Sequence, residues 1–391
     1  LMRRKDLIVF LVVSLLLYGF LNGYILKRGL QAFSSQPVGR LLFVLVFSFL
    51  ILSFPASRII NGQFNHPLSK ILAIPGIYYL AFMFYFFLLI FLKDIIRWGC
   101  RLFSQQVKAS SWLSVSNQGS FTAIMSLSLI IIFLGHLNAT HPVVKTLRLQ
   151  VNKMADGRTG LRAVMLSDIH LGMYNRSNRL EALVRKINEL EPEIVFFAGD
   201  IVDEAISAEE EERMVRLMKD IRAPLGLFAC PGNHEYYGGL EKNISYLERA
   251  GVQELLDEVL RVDGSFYLIG RKDWAAQRFG DRRASLQDIM AAGQIDPSLP
   301  IIVLDHQPIR LEEAQQAGVD LLLCGHTHAG QLFPLDIVNR FIYEKNWGYL
   351  KKGQTHIYVT SGAGTWGPAV RTGSRSEMVL LELCFGPAKT N

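Results

Sequence analysis

The chain has 391 residues, half of them hydrophobic and 19% charged, with a formal net charge of +6. That length predicts about two domains, and that hydrophobicity excludes intrinsic disorder. The first 145 residues hold 13 of the 41 basic residues and two of the 35 acids, a surplus of 11 positive charges, so the remainder is acidic by five. The basic excess sits between apolar segments where a phosphate backbone could not reach it, which excludes a nucleic-acid partner.

Four uncharged apolar stretches come first: Leu7–Leu26, Leu41–Ser57, Ile71–Leu92 and about Phe121–Leu137. A helix needs ~20 residues to cross the hydrocarbon core. The first and third meet that length directly, and the second and fourth sit at its lower limit. Four transmembrane helices over residues 1–145 are therefore expected, with Pro55 and Pro75 near helix ends, where proline is tolerated. No span carries a charge in its middle, which argues for an anchor and against a transporter. The flanking charges nearly balance across the four spans and set no orientation. The run 93–108 places Lys93, Arg97 and Arg101 on one face, and reads either as an interfacial amphipathic helix or as ordinary juxtamembrane charge. The first reading would put that run in the cytoplasm and the second half of the chain outside.

From residue 146 the pattern changes. Leu147–Val151, Ala163–Ser167, Ile194–Ala198, Gly226–Cys230, Ile301–Leu304, Leu321–Cys324, His356–Thr360 and Met378–Leu383 read as strands. Amphipathic helices are expected near Ser177–Leu190, Glu209–Lys219 and Leu240–Ala250. Alternating β and α units followed by closing strands predict an α/β layered sandwich over residues 146–391. The four cysteines (Cys100, Cys230, Cys324, Cys384) have no CxxC spacing and form no disulfide framework.

Five short motifs follow strands in order: Ser167-Asp168-Ile169-His170, Ala198-Gly199-Asp200, Pro231-Gly232-Asn233-His234-Glu235, Asp305-His306-Gln307-Pro308 and Gly325-His326-Thr327-His328. Ligands in layered α/β folds collect where loops leave the C-terminal strand ends. Carboxylates and imidazoles without thiolate suit Mn, Fe or Zn. Each motif alone is a weak signal; five in sequence at strand ends make coincidence improbable.

The series resembles the calcineurin-like metallophosphoesterases, with D-x-H, G-D, G-N-H-[DE], a lone His and G-H-x-H all intact across roughly residues 160–385. The resemblance implies two divalent metal ions, Mn first, with Zn or Fe as alternatives. It implies one ion held by Asp168, His170, Asp200 and His328 and another by Asp200, Asn233, His306 and His326, with Asp200 as bridge. His234 would then be the catalytic group, which hydrogen-bonds the phosphate and either stabilises charge or protonates the leaving oxygen. The phrasing GNHEYYGG and GHTHAGQ is similar to a bacterial envelope branch in which Ala329 is commonly Gly.

The Gly-rich run Ser361–Pro368 lacks a P-loop Lys and reads as a tight turn beside the site. Arg371, just after it, is a candidate contact for an anionic substrate. Residues 1–145 are thus expected to anchor a phosphoesterase of residues 146–391 in the plasma membrane as a multi-pass protein. The expected substrate and partners are a phosphorylated lipid or lipid-linked envelope intermediate, together with membrane lipids. The alternatives are a UDP-diacylglucosamine-type pyrophosphatase, a phosphodiesterase or phosphatase with a soluble substrate, and a non-enzymatic scaffold of the same fold.

Overall fold

A computed structural model describes residues 4–64, 67–103, 118–172, 177–203 and 208–387. The chain divides into two compact units, Leu1–His136 and Leu137–Asn391.

The first unit is helical. Helices α1 (Arg4–Ala32), α2 (Pro37–Phe64), α3 (Pro67–Phe103) and α4 (Gln118–Thr140) match the four apolar stretches in order. All four are long and apolar enough to cross a membrane. Their outward side chains are apolar, with Leu16 69% and Val38 72% exposed. That surface suits hydrocarbon, not water.

Two expectations are corrected here. Pro55 and Pro75 lie inside α2 and α3, not near their ends. Proline at 55 has no N–H to donate, which leaves the Ile51 carbonyl without its helical partner. The Tyr18 hydroxyl from α1 donates to that oxygen at 2.7 Å and satisfies it. The run from Lys93 is likewise no separate interfacial helix. It continues α3, whose 37 residues exceed the ~20 a bilayer core needs. With that run part of α3, the orientation argument built on it loses its basis. Residues 104–108 of the run lie outside the described residues.

The second unit holds two six-stranded sheets. Its strands are β1 (Val143–Val151), β2 (Gly160–Leu166), β3 (Ile194–Ala198), β4 (Leu227–Cys230), β5 (Val252–Glu254), β6 (Glu258–Val262), β7 (Phe266–Gly270), β8 (Ile301–Leu304), β9 (Leu321–Cys324), β10 (Gly348–Lys352), β11 (Thr355–Val359) and β12 (Glu377–Phe385). One sheet runs β1-β12-β2-β3-β4-β5 and the other β10-β11-β9-β8-β7-β6. Helices α5 (Ser177–Glu189), α6 (Ala208–Lys219), α7 (Asn233–Gly238), α8 (Leu240–Arg249), α9 (Leu286–Ala292), α10 (Leu311–Gln316) and α11 (Leu335–Ile342) complete the unit.

Strand β3 shows why the layers form. Its side chains alternate faces with period two. Val195 and Phe197 pack with Leu180, Leu183 and Ile187 of α5 on the outer face. Ile194 and Phe196 pack between the sheets with Leu268 and Leu323. Burial on both faces explains its continuous apolar run. On the second sheet, Leu286 and Ile289 of α9 and Leu311 of α10 cover the other outer face. The result is the expected α/β layered sandwich. Strands β2, β3 and β4 run parallel, as do β7, β8, β9 and β11.

Candidate metal centre

The five motifs leave the C-terminal ends of β2, β3, β4, β8 and β9, and the two sheets bring them together. Three groups of side chains each gather ligand atoms within 4.8 Å: Asp168, His170 and His328; Asp200, His306 and His326; and His170, Asp203 and His234. Every expected ligand except Asn233 falls in one of these groups. Asn233 joins Asp200, His170, His234, His326 and His328 in lining a cavity of about 370 Å³.

Close backbone approaches hold the cluster. The His234 N–H donates to Asp200 Oδ1 at 2.9 Å, and the His326 N–H reaches both Asp168 oxygens at 3.0 Å. A Cβ on Gly232 would strike the Asp200 carboxylate, and one on Gly325 would lie 2.5 Å from Asp168 Oδ2. The glycines that open these motifs are therefore the places where another motif's carboxylate passes. Asp168, His170, Asp200, His326 and His328 all have positive φ, between 49° and 72°. Left-handed backbone costs a non-glycine residue about 1–2 kcal/mol, and such strain collects at functional sites. Ala329, at φ 49° and ψ 34°, sits in the same left-handed region, which glycine adopts without strain.

The donor set fits cations. His306 Nδ1 donates to the Ala198 carbonyl at 2.7 Å, which turns Nε2 toward Asp200 Oδ2 at 3.1 Å. That Nε2 is buried yet makes no aligned hydrogen bond, as is true of Asn233 Oδ1 and His170 Nδ1. Facing lone pairs in a buried site are costly unless a positive charge lies between them. His170 Nε2 and His328 Nε2 meet at 3.0 Å in a hydrogen bond that one ring must donate.

The electrostatics follow burial first and neighbours second. Burial opposes the Asp200 charge, but His306, His234 and His170 hold its carboxyl well below the usual range. Burial pulls His326 down to about 3, with His306 adding to it. Burial also lowers His328, helped by His170 and Arg371. His234 goes the other way. Burial works against its charge, yet the Asp203 hydrogen bond and the Asp200 and Asp203 charges raise it to about 9.

Sequence reasoning missed Asp203 and gave no role to Glu235, which it named only as part of the third motif. Asp203 accepts from His234 Nδ1, which orients the ring and leaves Nε2 as its available nitrogen. Its signal was only its place three residues after Asp200. Glu235 is buried and accepts from the backbone N–H groups of Asp200, Ile201, Val202 and Gly232 at 2.7–3.1 Å. It ties the second and third motifs together.

Arg371 requires a correction. It is wholly buried, and its guanidinium donates to the carbonyls of Ser361, Gly364 and His328. Its Nη2 also lies 3.1 Å from His328 Nδ1. It braces the His328 loop from beneath and has no face for substrate. The turn Ser361–Pro368 does sit beside the site, with the Gly364 N–H donating to the Asp168 carbonyl at 2.8 Å. Trp366 from that turn lines the cavity. Cys230 and Cys324 are buried, and burial pushes both thiols well up.

Residues 161–330 match the family described as calcineurin-like phosphoesterase. An uncharacterized metallophosphoesterase of Aquifex aeolicus is 31% identical over 251 residues, covering 63% of this chain and 94% of that protein. The chain belongs to the calcineurin-like metallophosphoesterases. A metallophosphoesterase of Helicobacter pylori is 34% identical over 57% of this chain and 60% of its own length. A more distant relative is the UDP-2,3-diacylglucosamine pyrophosphatase LpxG of Chlamydia trachomatis, 24% identical over 71% of this chain and 100% of that protein. The chain spans about 60% of the length of the first curated relatives it matches.

Proposed function

We propose that the chain is a membrane-anchored, metal-dependent phosphoester hydrolase acting on a phosphate ester or diphosphate of a membrane lipid or lipid-linked envelope intermediate. The observation that carries the reaction class is the gathering of five strand-end motifs around buried polar atoms that make no aligned hydrogen bond. In this reading Asp168, His170, Asp200 and His328 hold one divalent ion, and Asp200, Asn233, His306 and His326 hold the other. Mn is the ion proposed first, with Zn or Fe as alternatives. Such a pair supplies Lewis-acid charge to the attacking and leaving oxygens of a phosphoryl transfer.

The chain's own groups do the rest. His234, held by Asp203, presents Nε2 to the phosphate and gives its proton to the leaving oxygen. Glu235 fixes the loops that carry Asp200 and Asn233, and Arg371 fixes His328. The positioned donors surround a cavity large enough for a phosphate and part of its substituent.

The lipid substrate is supported by the four apolar helices and by the printed activity of the Chlamydia relative. That relative also favours a second reading, cleavage of a nucleotide–lipid diphosphate. Residues 1–145 serve as a multi-pass plasma-membrane anchor, and an extracytoplasmic α/β unit is tested by protease access in intact cells.

The full chain in detergent, stripped by chelator and reloaded with Mn, is to be assayed on bis(p-nitrophenyl) phosphate, on UDP-2,3-diacylglucosamine and on soluble nucleotides. Hydrolysis should vanish on chelation and return with Mn. A rate on soluble nucleotides equal to that on the lipid would overturn the lipid reading.

A further inference from the structure

Helix α11 is built inside out. A surface helix of a water-soluble unit turns its apolar stripe inward, and α5 does so through Leu180, Leu183 and Ile187. In α11, at 100° per residue, Leu335, Ile337, Val338, Phe341 and Ile342 share one side and Asp336, Asn339 and Arg340 the other. None of its side chains is buried. Phe341 is 87% exposed, Ile342 64% and Val338 51%. Phe333, just before the helix, is exposed as well.

The polar side is the one that faces the protein. Asn339 Nδ2 donates to the Thr327 carbonyl at 2.9 Å, within the Gly325–His328 motif. Asp336 packs against Gly330 so closely that a Cβ there would collide with its backbone. The helix is thus pinned to the metal-site loop by its polar edge. Leu335, Asn339 and Tyr343 line the same cavity as the histidines, so the apolar side begins at the mouth of the site.

We propose that α11 together with Phe333 is a membrane-docking element, seated in the headgroup–acyl boundary beside the site mouth. Contiguous exposed apolar surface of this kind marks an interaction site. A helix with one apolar and one charged side lies in the interface plane with its apolar side ~5–10 Å deep. The Arg340 side chain, exposed although it lies 3.5 Å from Asp336, and Lys345 just after the helix suit anionic headgroups. The same chain carries four helices fit for a bilayer, so a lipid surface is the occupant this chain always has at hand. Docking here would bring a phosphate at the bilayer surface to the cavity without lifting the lipid out. That consequence rests on the lipid reading above, whereas the docking itself does not.

The test uses the full chain in vesicles of phosphatidylethanolamine and phosphatidylglycerol. Phe341→Cys carries a nitrobenzoxadiazole label, with Cys100→Ser and Cys384→Ser removing the background. Acyl-chain doxyl lipid should quench the label at least roughly twofold more than the same label at Lys186→Cys on α5, with a blue-shifted emission. Adding Val338→Asp should return the quenching to the control level. Equal quenching at the two positions overturns the proposal. So does a blue shift that doxyl lipid leaves untouched, the sign of a protein partner or a second copy. Quenching in a protein that hydrolyses neither phosphate esters nor UDP-2,3-diacylglucosamine would overturn the proposed function and leave the docking in place.

Discussion

Buried polar atoms serve opposite ends in the two units. In the helical unit several of them serve the backbone: Tyr18 satisfies the Ile51 carbonyl freed by Pro55, and Ser53 and Ser128 add a bond to the Phe49 and Ile124 carbonyls at 2.6 and 2.9 Å. In the α/β unit, Asn233 Oδ1, His306 Nε2 and His170 Nδ1 are buried without an aligned hydrogen bond. A fold tolerates that cost where the atoms are kept for something that binds. Helix α11 breaks the division, because it carries the first unit's apolar exterior on the second.

The largest effect expected from this contrast is on catalysis. His234→Asn should lower kcat on bis(p-nitrophenyl) phosphate about 10²–10⁴-fold in the Mn-loaded protein. Asp203→Asn should cost less, roughly 10–100-fold, because the ring remains but loses its orientation. An unchanged rate in His234→Asn would remove its assigned role.

A second prediction concerns a buried carboxylate outside the cluster. Both oxygens of Glu254 are buried without a partner, and burial, with Glu235 and Glu248, pushes its carboxyl well above 4.5. An acid whose folded pKa is raised favours the folded state below its ordinary pKa and loses that contribution as pH climbs through the raised value. Glu254→Gln stays neutral throughout. Its unfolding free-energy advantage over the parent should therefore widen as pH rises above about 5, toward roughly 1–3 kcal/mol, as read from denaturant melts at each pH. A constant gap would show that Glu254 is held as a charge, and the contrast between the units would weaken.

The smallest effect is in the helices. Tyr18→Phe removes the donor to Ile51 and should cost roughly 1 kcal/mol in mixed-micelle unfolding. No loss would mean that the carbonyl beside Pro55 is satisfied without Tyr18.

Much of this protein was legible residue by residue. The four helices follow from apolar runs near or above the length a bilayer core needs, and β3 from an unbroken apolar run. The metal motifs could be read because each is a contiguous sequence at a strand end, where a bent backbone can aim two side chains inward. The short elements β5, β6, β7, α9 and α10 carry no period long enough to detect.

What the sequence by itself determined, then, is which residue types meet and what chemistry they suit. Only the tertiary structure decided which way they face. Asp203 acquires its role from His234, which arrives from the end of a different strand. Arg371 has the composition of an anion contact, yet the fold spends its donors on three carbonyls. The period of α11 predicts two faces but not which one turns outward. Periodicity is a property of one segment, whereas orientation depends on what packs against it.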